Sequence, residues 1–359
     1  MKERLFLCCF LLFAGPSFGQ SIFNDTLSKQ LDSILGDDQK YREELESVEN
    51  RDGTESQAYI SIMKKMSTQD SINEIKVSGI LDKYGWPGTD IVGENGNSAL
   101  WFVIQHSDLH MMAKYLPMMK EALKNKKLEA SRFALLEDRM ALWQGRKQIY
   151  GSQLSWNMKT KETFILPLDD PDNVDKRRAS AGLPPLADYM ASMNTKWDLE
   201  QYKKQLPALE AYTWSIPYYD PTLCDDVGDI AFDERYDNGA FKTPDTFKVF
   251  VKPRYKGGKP AISAFFKEGY INNNAGDANG YVTVHLFVNN QGKPGKFRLE
   301  TMDFQYQPVK FDRSVSFQIL RLIWEMKGWE PLVYKDKSFG YYCYLNFKII
   351  NGQISCITP

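Results

Sequence analysis

The sequence is poor in histidine and has almost no excess charge. Three histidines leave few imidazole groups for catalysis or metal binding. The 45 basic and 46 acidic residues give a net charge of -1, which provides no global field to attract nucleic acid or anionic lipid. We therefore expect no nucleic-acid partner. The length of 359 residues predicts two folded units, since a domain usually has ~100–200 residues.

Sequence motifs of the common enzyme classes are also absent. The chain has no Gly-x-Ser-x-Gly nucleophile elbow, no phosphate-binding glycine loop and no paired-cysteine zinc pattern. Hydrolase, nucleotide-binding and zinc-binding classes therefore lack motif support, and we expect neither a cofactor nor a bound metal.

The N-terminus has the pattern of a secretory signal. Lys2 and Arg4 precede an apolar run over residues 5–14, and small residues follow up to Gly19, where we expect cleavage. The apolar run is shorter than the ~20 residues that cross a bilayer, and no later segment is a better candidate. The sequence thus predicts a soluble periplasmic or secreted protein with no stable membrane span after cleavage.

Removal of residues 1–19 leaves Cys224, Cys343 and Cys356 in a compartment that permits disulfides. A two-residue turn at Asn351-Gly352 places Cys356 opposite Phe347, so strand register disfavours a bridge between Cys343 and Cys356. A bridge from Cys224 to either of the others is the preferred pairing. Three buried free thiols are the alternative.

Apolar residues at helical spacing predict a mostly α domain over residues 20–195. Thr54-x-x-Gln57 has the form of a capping box, which predicts a helix start, and Asp108 is a candidate N-cap. Prolines and glycines after Gly151 predict an irregular segment that wraps the helical body.

The pattern changes after residue 195. Residues 196–245 carry an acidic stretch whose spacing fails the calcium-loop pattern, and we interpret them as a solvated connector. Residues 246–359 then give the order strand, helix, hairpin, helix, strand. The sequence therefore predicts a mostly α N-terminal domain followed by a small α+β domain, an antiparallel sheet with helices on one side.

Short motifs of the C-terminal region occur in a characteristic order: Pro253-x-x-x-Gly257-Gly258, Gly280-Tyr281-Val282-Thr283-Val284, Asp312 at a helix start and Trp329-x-Pro331. In this order, residues 246–352 resemble the TonB C-terminal domain. The sequence departs from that family where Tyr270 is followed by Ile271 instead of proline.

This resemblance implies a periplasmic module that pairs a sheet edge with an extended peptide or another envelope protein. The implied binding residues lie on the terminal strand at Tyr344, Leu345 and Phe347. Energy transduction also needs an inner-membrane anchor, and none is expected once the signal is removed. We therefore do not predict an energy transducer.

A second set of motifs lies in the helical region: Asp38-Gln39-x-x-Arg42, Gln105-His106-x-Asp108, Leu136-Glu137-Asp138-Arg139, Gln148-x-Tyr150-Gly151-x-Gln153 and Arg177-Arg178. Over residues 35–190 these motifs resemble an uncharacterised bacterial family, a domain of unknown function. The resemblance implies no activity.

His106 is the candidate general base, oriented by a carboxylate such as Asp108 or Asp138. Its alternative is a buried histidine that holds two helices together. A metal site shared by His106 and His110 is disfavoured, because a helix boundary at Asp108 separates the two imidazoles.

Other polar residues form a candidate ligand site: Gln105, Arg139, Gln148, Tyr150, Gln153, Arg177 and Arg178. Arginines suit an anionic ligand. The alternative role of Arg177 or Arg178 is to pair with Glu137 or Asp138. The alternative role of Gln148, Tyr150 and Gln153 is to satisfy backbone groups of the irregular segment.

Two functional hypotheses follow from these patterns. The leading one is a secreted, non-enzymatic envelope protein with a protein-interaction domain at its C-terminus. The alternative is a hydrolase-type enzyme with a polar site around His106.

Overall fold

The fold is taken from a computed structural model, which describes residues 23–53, 56–156, 163–213, 252–272, 276, 278–334 and 336–358. The predicted signal, Thr54, Cys224, the acidic part of the connector and the strand expected at residues 247–251 lie outside the described residues. Of the helices that these ranges contain, none combines the length and apolar character of a membrane span.

Five long helices form the N-terminal region: α1 (Asp25–Asp52), α2 (Gln57–Tyr84), α3 (Thr89–His106), α4 (Leu109–Lys124) and α5 (Ala130–Trp143). The side chain of Ser56 caps α2 by accepting the N–H of Tyr59, so the N-cap lies two residues after the Thr54 that the capping-box pattern predicted. Asp108 caps α4 by accepting the N–H of Met111, as predicted.

The segment after α5 is built from short elements: β1 (Leu154–Trp156), β2 (Thr163–Ile165), α6 (Val174–Ser180), α7 (Leu186–Ser192) and α8 (Leu199–Thr213). They enclose a small core of their own that includes Leu168, Leu186 and Tyr202. The residues expected to begin a solvated connector therefore form a helix. Tyr202 anchors that helix, because its hydroxyl donates to Leu166 O and accepts the N–H of Leu168.

The C-terminal region has the predicted α+β character. Its elements are α9 (Gly258–Gly269), β3 (Gly280–Val288), β4 (Pro294–Met302), α10 (Arg313–Glu325), β5 (Leu332–Tyr334), β6 (Lys337–Phe339), β7 (Tyr341–Ile350) and β8 (Gln353–Thr358). Four antiparallel strands form the main sheet in the order β4-β3-β7-β8. Alternate residues of β3, from Val282 to Val288, are fully buried under the helices. The predicted fold class is confirmed.

The hairpin of β7 and β8 has an irregularity that the sequence did not predict. Asn351 and Gly352 both have positive φ, 50° and 72°, as a two-residue primed turn requires. A bulge then shifts the register by one residue, so Cys356 lies opposite Lys348 and not opposite Phe347. Cys356 is exposed and free.

The disulfide prediction is not met at either described cysteine. Cys343 is a buried free thiol in β7, and burial raises the pKa of that thiol to about 12.

One hydrophobic core runs through both regions, with Leu31 of α1, Ile104 of α3, Val284 of β3, Ile319 of α10 and Phe347 of β7 among its fully buried members. Helix α4 packs against α9 and α10 at the junction. There the carboxylate of Glu325 accepts the N–H groups of Leu109 and His110 at 3.1 and 3.2 Å. Arg321 Nε lies 2.5 Å from the same carboxylate. Burial nevertheless raises the pKa of Glu325 to about 7.

This raised pKa gives a pH dependence of stability. In the unfolded chain Glu325 loses its proton near pH 4.5, the ordinary value, whereas the folded state keeps this proton up to about pH 7. The neutral carboxyl therefore contributes stability at low pH, and this contribution is lost as the pH rises through the window. We expect the unfolding free energy of the wild type, relative to Glu325→Gln, to fall by about 3 kcal/mol between pH 5 and pH 8. Urea unfolding at each pH measures it. The exposed Glu330→Gln serves as control, and a pH-independent difference for Glu325→Gln would contradict the prediction.

Candidate functional site

His106, at the end of α3, pairs with a carboxylate of α1. Its Nδ1 lies 3.1 Å from both carboxylate oxygens of Asp38, whose side chain is 1% exposed. The imidazole stacks on Phe102 and is 18% exposed. Its Nε2 has no hydrogen-bond partner among the described residues. A proton on Nδ1 that faces Asp38 leaves Nε2 of the neutral ring as a hydrogen-bond acceptor at a partly exposed position.

Asp38 also organises the groups around it. Arg42, one turn along α1, donates from Nη1 to the backbone oxygen of Asp38 at 2.6 Å, and its Nη2 lies 2.9 Å from Asp70 Oδ1 of α2. Gln39 Nε2 donates to the Asp38 carboxylate at 2.6 Å. Asp38 therefore holds an imidazole, a guanidinium and an amide in fixed positions.

Arg139 of α5 reaches the same end of α3. Its Nη1 donates to the backbone oxygen of Gln105 at 2.6 Å, and its Nε donates to Gln153 Oε1 at 3.2 Å. Burial, together with the charge of Arg42, lowers the pKa of Arg139 to about 10. Three predicted ligand-binding residues, Gln105, Arg139 and Gln153, are thus brought together beside His106.

Asp138 does not orient His106, which was one of the roles predicted for it. The carboxylate is fully buried and accepts three backbone N–H groups, from Ile149 at 2.6 Å and from Tyr150 and Ser152 at 2.8 Å. Burial raises the pKa of Asp138, whereas these three hydrogen bonds lower it. Asp138 therefore shapes the loop that follows α5, through the backbone N–H groups that it accepts.

The remaining predicted ligand-binding residues satisfy this loop and its surroundings. Gln148 is fully buried and donates to the backbone oxygens of Gln153 and Leu166. Arg178 is 1% exposed and donates to the backbone oxygens of Tyr150 and Pro184. Such contacts fix a backbone that has no regular ladder.

Two further predicted residues of this group are also occupied. Arg177 donates to Ile149 O and pairs with Asp170, so neither arginine of the Arg177-Arg178 pair reaches Glu137 or Asp138. The hydroxyl of Tyr150 instead donates to Glu137.

His110 and Asp108 lie at the junction with the C-terminal region. His110 Nε2 lies 3.3 Å from Glu268, and the imidazole stacks on Phe265 with 4.0 Å between ring centroids. Asp108 caps α4 and lies 3.8 Å from Lys327 Nζ. The two histidines thus face different partners. Within the described ranges no three His, Cys, Asp or Glu side chains gather as a metal site requires.

The predicted partner-binding strand is an interior strand. Residues Tyr344, Leu345 and Phe347 lie on β7, which pairs with β3 on one side and β8 on the other. Leu345 and Phe347 are buried, and Tyr344 is 38% exposed. The edge strands of the described sheet are β4 and β8, because the chain continues past β7 through a tight hairpin.

The most informative residues of the polar site were partners that the sequence did not assign. Asp38 and Arg42 stood in a recognised motif, but helical spacing alone does not indicate which helix end they face. Asp70 had no sequence signal, since a lone aspartate on a long polar helix is usually solvated.

Comparison with known proteins agrees with the resemblance of the helical region. Residues 27–201 match the sequence profile of the Family of unknown function (DUF6624). This match confirms that the N-terminal region is similar to an uncharacterised family. No curated protein and no solved structure matches the chain.

The three N–H groups on Asp138 predict a structural role with a measurable cost. Asp138→Ala leaves these buried donors unpaired, so we expect a loss of about 3–5 kcal/mol in unfolding free energy. Asp138→Asn keeps one acceptor oxygen and should lose less. Asp172→Ala, which removes an exposed ion pair with Lys203, is the control and should leave the unfolding free energy nearly unchanged. Equal losses for the Asp138→Ala and Asp172→Ala variants would refute this role.

Proposed function

We propose that the chain is a periplasmic or secreted cell-envelope protein whose C-terminal region binds an extended peptide segment of another envelope protein by strand addition to β8. The proposal is supported by the signal pattern of residues 1–19 and by the resemblance to the TonB C-terminal domain. The observation that carries it is the edge position of β8, which pairs only with β7 among the described strands.

The backbone geometry of β8 suits such pairing. Ile350 and Gln353 close a two-residue turn and therefore form a hydrogen-bonded pair. In an antiparallel ladder the next pair, Ile349 and Ile354, is not hydrogen-bonded, so the N–H and C=O of Ile354 turn away from β7. An incoming strand finds a donor and an acceptor there.

The opposite edge of the sheet is partly covered. Val309 N–H donates to Thr301 O, and Met302 forms a bridge with Pro308, so the chain folds back over the end of β4. Natural sheets cover an edge in this way to prevent unwanted pairing. Strand addition is therefore favoured at β8 over β4.

A pocket next to β8 adds a means of selecting side chains. It has a volume of about 170 Å³ and is lined by Lys252, Pro253, Lys259, Ile262, Leu345 and Ile357. Its aliphatic residues suit one apolar side chain, and its two lysines favour an acidic neighbour in the peptide.

A proline at position 354 tests this mode. Ile354→Pro removes the outward N–H without removing a hydrogen bond to β7, so the domain should fold while strand addition weakens at least tenfold. Ile354→Ala loses the same side-chain packing but keeps the N–H. We expect envelope proteins captured by the wild type to be retained by Ile354→Ala and lost with Ile354→Pro, as measured by quantitative pull-down from envelope extract. Equal capture by both variants, or no selective capture by the wild type, would rule out strand addition at β8.

The pair of His106 and Asp38 supports a second candidate function, a hydrolase-type activity. A water held at His106 Nε2 would give a proton to the imidazole as its oxygen attacks the substrate, with Asp38 stabilising the imidazolium. The bond to the leaving group would then break, and the imidazolium would return the proton to that group. In this role His106 would act as a general base whose Nδ1 is held by a carboxylate, as in Ser-His-Asp triads.

Chromogenic ester, phosphoester and glycoside probes test this activity directly. If it exists, His106→Ala should lower turnover at least a hundredfold, and Asp38→Asn should lower it by a smaller factor. His285→Ala is a matched control, because His285 also lies near a carboxylate, that of Glu300, but in the C-terminal sheet. Turnover that persists in His106→Ala, or none with any probe, would exclude hydrolysis of these bond types at His106.

A further inference from the structure

Arg139 is a largely buried cation without an acidic partner in the described part of the chain. No described carboxylate forms an ion pair with its guanidinium. Arg42, by contrast, lies between Asp38 and Asp70. Burial lowers the pKa of Arg139 most, and the positive charge of Arg42 lowers it further. A guanidinium removed from water at this cost usually faces an anion.

The hydrogen bonds of Arg139 leave one part of the guanidinium available. Nη1 and Nε are used by Gln105 O and Gln153 Oε1, and Nη2 has no acceptor among the described residues. The ring of Trp143 lies 6.0 Å from the guanidinium carbon and covers one side of the group. A planar acceptor therefore has one approach to Arg139, through Nη2.

Neighbouring polar atoms are similarly unpaired. Gln105, the residue whose carbonyl binds Arg139, is 3% exposed, and its Oε1 accepts no hydrogen bond from the described residues. The next residue is His106, whose Nε2 has no partner in the same ranges. Natural proteins leave few buried polar atoms unpaired, and Gln105 Oε1, as an acceptor, suits a protonated oxygen of a ligand, not an ionised one.

We propose that Arg139 and His106 form a binding site for an oxyanion, the carboxylate or phosphate group of a small molecule. Arg139 Nη2 donates to one oxygen, and protonated His106 donates from Nε2 to a second. Asp38 supports the second contact, because its carboxylate lies 3.1 Å from Nδ1 and holds the imidazole ring in place. This site requires neither strand addition at β8 nor hydrolysis, so its test is independent of both proposed functions.

Titration calorimetry on the full chain with inorganic phosphate and with acetate, at constant ionic strength set with sodium chloride, tests the site and separates the two oxyanion chemistries. We expect saturable millimolar binding of at least one probe to the wild type. Arg139→Gln, which keeps an amide donor for Gln105 O, should weaken that binding at least tenfold, and His106→Ala should weaken it less.

Arg132→Gln is the matched control, since Arg132 lies on the same helix and pairs with Glu129 near the surface. It should bind as the wild type does. If Arg139→Gln does not fold, Arg139→Lys keeps the charge, loses the planar fork and should still weaken binding. No saturable binding to the wild type, or undiminished binding by a folded Arg139 variant, would show that Arg139 only ties α5 to the end of α3.

Discussion

The contact between Glu325 and the start of α4 determines how the two regions of this protein meet. The first turn of a helix leaves four N–H groups without helical partners. In α4 the Glu325 carboxylate takes two of them, from Leu109 and His110, and Asp108 takes that of Met111. A residue of the C-terminal region thus completes a helix of the N-terminal region. The helix dipole favours a negative charge at this end and so opposes the burial that raises the pKa of Glu325.

The polar site lies next to this junction in the chain. Only Ser107 and Asp108 separate His106 from α4, so the start of α4 limits where the end of α3 can lie. From the other side, Asp38 and Arg139 hold the same helix end through the imidazole and through the carbonyl of Gln105. The imidazole position therefore depends on α1, α4 and α5 together. Such convergence suits a binding or catalytic group, which must keep its geometry.

Locally determined features were predictable from the sequence, and tertiary partners were not. The strand at residues 280–288, the cap at Asp108 and the helix opened by Asp312 follow from spacing and capping chemistry within a few residues. The carboxylate that faces His106 is 68 residues away, so no local pattern distinguishes Asp38 from Asp138. The interior position of β7 was missed for a related reason. The turn at Asn351-Gly352 implied a paired segment after it, but nothing local indicated that this segment, and not residues 341–350, takes the edge of the sheet.

The continuous core has a consequence for dissecting the protein. Helix α4 packs on α5 and also on α9 and α10, so separating the helical region from the α+β region would expose one side of α4 to water. Apolar surface uncovered in this way promotes self-association. Fragments that end between α8 and α9 would also lose the carboxylate that completes the first turn of α4. Aggregation of either fragment would then result from cutting the shared core and would not show that the region lacks a function. Point substitutions in the intact chain are therefore the better way to assign a role to each region.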